Sequence, residues 1–216
     1  MDKMFTFYTI IALLLLIILS PVIFAFIVLY LGSTGFTYLG FSPLTALFIL
    51  LLMLIGSFIN IPISRRRMIK VREPAFFGFL NRYVWRSQVI SVNFGGAIIP
   101  LFIVAYLLTY TPLYPVFITL LIVTFVSFIS SRFVPGVGVL APAILPVVFA
   151  ALFALLLSPE YAAETAFSSG VMGVLLGADI LRLPLIRRGG VLSIGGAGVF
   201  DGIFIVGIAS AILASI

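Results

Sequence analysis

Two carboxylates stand inside apolar stretches of this chain. Asp179 lies in Leu176-Gly177-Ala178-Asp179-Ile180-Leu181, and Asp201 follows 22 residues later in Gly195-Gly196-Ala197-Gly198-Val199-Phe200-Asp201-Gly202-Ile203. The chain has no histidine and no cysteine, so a histidine-based triad, thiolate chemistry and the usual zinc sites are excluded. Acid–base chemistry falls to carboxylates, hydroxyls or lysine. An ionised aspartate in a membrane helix costs at least about 2.5–3.5 kcal/mol on insertion scales, so such residues usually face a cavity or a partner. Two carboxylates in one site cannot both stay ionised, and the pair holds one proton between them. In that state the ionised acid takes a proton from water while the protonated one polarises a peptide carbonyl. Gly196, Gly198 and Gly202 around Asp201 would let a substrate backbone approach closely.

The elements that must position these acids follow from composition. Of 216 residues, 63% are hydrophobic and 8% charged. A soluble domain of this size has too little interior to hide that much apolar surface, so lipid must be the solvent for most of it. The expected fold is all-α, a single polytopic transmembrane helix bundle over 1–216. Apolar runs predict about seven spans: 5–31 (kinked near Pro21), 43–63, 94–111, 116–131, 139–157, 165–186 and 191–216. The third begins irregularly at Asn93-Phe94-Gly95-Gly96, and Pro142 and Pro146 fall in the first turns of the fifth.

Segment 64–93 is the long polar stretch. It carries Arg65, Arg66, Arg67, Lys70, Arg72, Arg82 and Arg86 against Glu73, interleaved with Phe76, Phe77, Phe79, Tyr83 and Trp85. This composition predicts an interfacial segment, with an amphipathic helix after Pro74, whose cations sit among anionic headgroups. The net charge of +6 reads as a membrane-orientation signal, and no nucleic-acid partner is expected. With seven spans and the N-terminus inside, all twelve Lys and Arg fall inside or at inner helix ends, while Glu160 and Glu164 mark an outer loop. The orientation is therefore N-in, C-out. Asp179 then lies roughly 12 Å, and Asp201 roughly 15 Å, above the inner border on consecutive antiparallel spans, so spacing allows the pair to meet.

The stretch Gly196-Ala197-Gly198-Val199-Phe200-Asp201-Gly202-Ile203-Phe204-Ile205-Val206-Gly207 resembles the second catalytic motif of the presenilin and signal-peptide-peptidase type intramembrane aspartyl proteases. Val199 and Phe200 are extra residues between the glycines and the acid, and Ala178 stands where the family usually has tyrosine. The resemblance implies catalytic roles for Asp179 and Asp201 on a transmembrane peptide substrate. Pro142-Ala143-Ile144-Leu145-Pro146 is similar to the family's Pro-Ala-Leu element, which implies that Pro142, Ala143 and Leu145 help shape the active site. Here that element precedes the acids, whereas in the family it follows them. The chain as a whole is also similar to an archaeal and bacterial membrane family without assigned activity, which implies a prokaryotic cell membrane.

Other readings of the same residues stand beside these. Asp179 is three residues before Arg182, a helix-neighbour spacing that suits an ion pair. Asp201 could cap a broken helix. Gly170, Gly173 and Gly177 suit close helix packing. The glycines before Asp201, with those after Asn93, also fit a small ion- or proton-coupled carrier built on unwound helices. A structural membrane protein without a chemical site is the third possibility. No Walker loop, Rossmann fingerprint or cluster of metal ligands is present, and neither a metal nor a cofactor is expected.

Overall fold

The computed structural model describes residues 3–75, 80–134, 138–140, 142–186, 189–196 and 202–216. The chain is mostly helical, 71% helix against 14% strand. In order, the elements are α1 (Lys3–Tyr38), α2 (Pro43–Gly56), β1 (Asn60–Pro62), β2 (Arg67–Ala75), β3 (Leu80–Asn93) and α3 (Ile99–Leu107). They continue with α4 (Leu113–Ser130), β4 (Arg132–Val134), β5 (Gly138–Leu140), α5 (Ile144–Leu157), α6 (Ala162–Val174), β6 (Gly190–Ile194) and α7 (Gly202–Ala214). A π-helical turn, Phe94–Ile98, leads into α3, and another, Leu175–Ile180, extends α6.

Each predicted apolar run contains a helix. Two helices are long and apolar enough to cross a membrane, Tyr8–Tyr38 within α1 and Leu113–Ser130, with mean hydropathy 3.2 and 2.2. α2 and α5 have 14 residues each. At 1.5 Å per residue that is about 21 Å, short of a hydrocarbon layer of about 30 Å.

α1 continues seven residues past the predicted end at Leu31. Its polar run stays helical because the hydroxyls close on carbonyls within the helix: Ser33 and Thr34 donate to the Tyr30 carbonyl, Thr37 to that of Thr34. Gly32 and Gly35 meanwhile lie against Leu50 and Ile208. The helix runs on through Pro21.

The basic segment is a correction to the sequence reading. Where a helix was expected after Pro74, β2 and β3 form an antiparallel hairpin, with Lys70 opposite Trp85, Val71 opposite Val84 and Arg72 opposite Tyr83. The physical reason is period two. In β2, Ile69 and Val71 are half-buried while Met68 and Lys70 are exposed; in β3, Val84 is half-buried between exposed Tyr83 and Trp85. Lys70 Nζ stands 5.0 Å from the centre of the Tyr83 ring. β1 extends the same edge, pairing Asn60 with Asn93 and Pro62 with Ser91. β6 pairs in parallel with β3 from Gln88↔Gly190 to Val92↔Ile194. Gln88 and Val92 already face Arg67 and Ile61, so β6 occupies the opposite edge.

Three other predicted spans are shortened. The second stops at Gly56, where Phe94 and Gly95 pack against it and the chain turns into β1. The fifth begins at Ile144, because 138–140 pairs with 132–134 as β5 with β4. The seventh begins at Gly202, because 190–194 is a strand and the chain then turns at Gly195 and Gly196, whose φ angles are +86° and +62°. That left-handed backbone cannot continue a helix and suits glycine.

α6 is the centre of the bundle. All of its residues are buried except Glu164 and Met172. Small residues bring its neighbours close. Gly173 lies against Val123 and Gly177 against Ser127, so α4 and α6 run parallel. Gly170 lies against Val206, and Ser210 Oγ donates to the Ala166 carbonyl at 3.2 Å, so α7 runs antiparallel to α6.

Candidate functional site

The polar groups gather where the sheet meets the bundle. Asn93 ends β3 and is fully buried. Its Oδ1 accepts the Gly96 amide at 2.7 Å and so caps the π-helical turn. Its Nδ2 donates to the Ser57 carbonyl at 2.7 Å and to Asn60 Oδ1 at 3.2 Å. Ser193 Oγ on β6 donates to the same Asn60 Oδ1 at 2.5 Å. One buried amide therefore links α2, β1, the start of α3 and, through Asn60, β6.

Asp179 sits on the π-helical extension of α6 and is half-buried. Its Oδ2 accepts the Gly195 amide at 2.7 Å. The glycine turn thus folds back onto the end of α6. It also presses on the start of α3, where a Cβ at Gly96 would run into the Gly195 carbonyl. A Cβ at Gly195 would lie 2.6 Å from that of Ala97. These glycines are needed for close approach of two backbone segments within the protein. π-helical turns often occur at functional sites, and here two of them converge on one glycine pair.

Of the residues expected to form the site, Asp179 and Gly196 are in this junction. Gly202 opens α7 and is half-buried. Asp201 and Gly198 lie outside the described residues. Pro142 and Leu145 are exposed around the start of α5, while Ala143 is half-buried and packs on the core. Arg182, the expected ion-pair neighbour of Asp179, directs its donors to α4: Nε to Ser131 Oγ at 3.1 Å and a terminal nitrogen to the Phe128 carbonyl, with the guanidinium over the Phe128 ring.

Sequence reasoning missed Asn60 and Ser193, which fell inside predicted helices. The Asn93-x-x-Gly96 spacing before an apolar run is an N-cap signal and marked the irregular start of α3.

Fold and site define a mostly helical protein, with helices long and apolar enough to cross a membrane, whose polar junction lies at one end of the bundle. The chain belongs to the family described as "Protein of unknown function (DUF1614)", whose model matches residues 54–213. Comparisons with curated proteins and with solved structures return no match.

Proposed function

We propose that this chain is an intramembrane aspartyl protease-like protein that cleaves transmembrane peptides with Asp179 and Asp201 sharing one proton. The observation that carries the reading is the Gly195 amide on the Asp179 carboxylate. It ties the segment leading to Asp201 back onto the end of α6. The α6–α7 register agrees. Ser210 stands opposite Ala166 and Val206 opposite Gly170, which puts Gly202 opposite Val174. Gly202, the residue after Asp201, is then within about 7.5 Å of Asp179 along the helix axis.

In this reading the ionised acid removes a proton from water, the resulting hydroxide adds to the scissile carbonyl, and the protonated acid hydrogen-bonds that oxygen. The proton then passes to the leaving amine. Gly196, Gly198 and Gly202 admit the peptide backbone, and Pro142, Ala143 and Leu145 shape the site. β6 has no strand partner other than β3 among the described residues. An extended peptide can add to its open edge just ahead of Gly195.

The proposed frame is seven crossings, N-in and C-out, in a prokaryotic cell membrane, with the basic β2–β3 hairpin against anionic headgroups. The test uses the full chain in liposomes with a helix-destabilised transmembrane peptide. Cleavage should disappear in Asp179→Ala and in Asp201→Ala, and cleavage unchanged by either substitution rejects the proposal.

A second reading has its own support. The two π-helical breaks at Phe94–Ile98 and Leu175–Ile180 suit an ion- or proton-coupled carrier, in which unwound backbone lines a cavity. It predicts Asp179-dependent ion flux into liposomes and no cleaved product.

A further inference from the structure

The sheet has two unlike faces. The register of β2 and β3 puts Ile69, Val71, Val84 and Arg86 on one face and Met68, Lys70, Tyr83 and Trp85 on the other. Toward the bundle the first face continues as Ile90, Val92 and, on β6, Ile194, which pack on the core. The second face is open among the described residues. Met68, Tyr83, Trp85 and, on β6, Val191 are each 62–64% exposed. It closes only at the junction, where Ser91 and Asn93 are buried.

Apolar and aromatic side chains gathered on one exposed face mark a surface with an occupant. The surrounding charge selects it. Between residues 60 and 93 seven Lys and Arg stand against one acid, Glu73. Arg65, Arg66, Arg67, Lys70 and Arg86 are exposed. Lys70 Nζ is 5.0 Å from the centre of the Tyr83 ring, so cation and rings share this face. Tyr and Trp, apolar at one end and wet at the other, concentrate at the headgroup level of a bilayer. Lysine lays its stem along apolar surface and keeps its ammonium among the phosphates.

The chain path holds this face close to the helix ends. β1 starts four residues after α2 ends, and β3 runs directly into the turn at Phe94–Ile98. The chain leaves β6 through the Gly195 turn that Asp179 holds. Trp85 is about 26 Å along β3 from Asn93 at about 3.3 Å per residue, so a sheet standing off the bundle would carry its aromatic face far into water. We infer that the sheet lies along the surface of an anionic phospholipid bilayer, with Met68, Tyr83, Trp85 and Val191 sunk into the headgroup layer and Lys70 on lipid phosphate. This rests on the proposed frame, which sets the hairpin against headgroups, and adds which face enters the lipid. It does not rest on the aspartate chemistry.

The test uses the full chain in liposomes of phosphatidylcholine, with or without phosphatidylglycerol, carrying lipid brominated near the head of the acyl chain. Trp85 is the one tryptophan, so its emission reports this face alone. Emission should be quenched several-fold by the brominated lipid, and more in the anionic liposomes than in the neutral ones. Trp85→Phe with Arg86→Trp moves the probe to the opposite face, where quenching should be far weaker. Trp85→Phe with Val84→Trp probes that same face should the first variant fail to fold. Equal quenching from both faces overturns the inference and leaves the hairpin against headgroups without a preferred face. No quenching from either face overturns the inference and that frame together. Equal quenching of Trp85 in neutral and anionic liposomes overturns the choice of an anionic surface. Trp85 emission that responds to added single-stranded RNA and not to brominated lipid assigns the face to nucleic acid and overturns the inference. Asp201→Ala should keep the quenching, so loss of cleavage and loss of lipid contact are read separately.

Discussion

Asn93→Ala removes three hydrogen bonds at once, and the structure says which groups are left exposed to the loss. The Gly96 amide loses its 2.7 Å acceptor, and the Ser57 carbonyl loses its 2.7 Å donor. Asn60 Oδ1 keeps the Ser193 hydroxyl and is not orphaned. A buried polar group left without a partner costs about 1–3 kcal/mol, so the two together cost about 2–6 kcal/mol. The lost cap is already contained in the Gly96 figure. For a chain of this length each kcal/mol moves the unfolding midpoint by about 2–4 °C, so the central expectation is a fall of about 12 °C. The assay is thermal unfolding of the full chain in detergent, followed by helix content and by the signal of its one tryptophan, Trp85 on β3. Asn93→Asp separates the two functions of the side chain. It keeps an acceptor for Gly96 but turns an oxygen toward the Ser57 carbonyl, so it should not restore the wild-type midpoint. An unchanged midpoint in Asn93→Ala would refute the account of this amide as the link between sheet and bundle.

Two further outcomes follow from local geometry. Gly195 and Gly40 have nearly equal positive φ, +86° and +84°, but a Cβ at Gly40 meets open space while one at Gly195 meets Ala97. Alanine costs about 1–2 kcal/mol for the left-handed backbone at either position. Gly195→Ala should therefore lower the midpoint by more than Gly40→Ala, and the same unfolding scan ranks them. Tyr110, in the loop after α3, has its phenol pushed above the usual range by burial first, then by Glu164 and by Tyr106. Its folded form holds the proton longer than its unfolded form, so its contribution to stability is present below about pH 10 and is lost as pH rises beyond that. Tyr110→Phe should flatten that alkaline decline in a pH series of unfolding midpoints, and an unaltered slope counts against the assignment.

Among the described residues each of the seven α-helices overlaps an apolar run visible in hydropathy, because an apolar segment buries its side chains most simply when the backbone is satisfied within a helix. The lack of histidine and cysteine already limited the chemistry to carboxylates, hydroxyls and lysine. Asp179 stood out in sequence because an acid among leucines has a cost that must be met by a partner. What met it was not legible: its acceptor oxygen takes the amide of Gly195, 16 residues away, through a turn that no periodicity signals. The hairpin was present in the alternation of Ile69, Val71 and Val84, but composition pointed more strongly to an interfacial helix than period two did to a strand. β6 had no such signal, since a five-residue strand is defined by the partner it pairs with, here β3 across about a hundred residues of chain. Asn60 and Ser193 became site residues for the same reason. Local sequence sets which segments are apolar and where helices can start, but which polar groups meet depends on contacts between segments far apart in the chain, and those are decided when the bundle and the sheet close on each other.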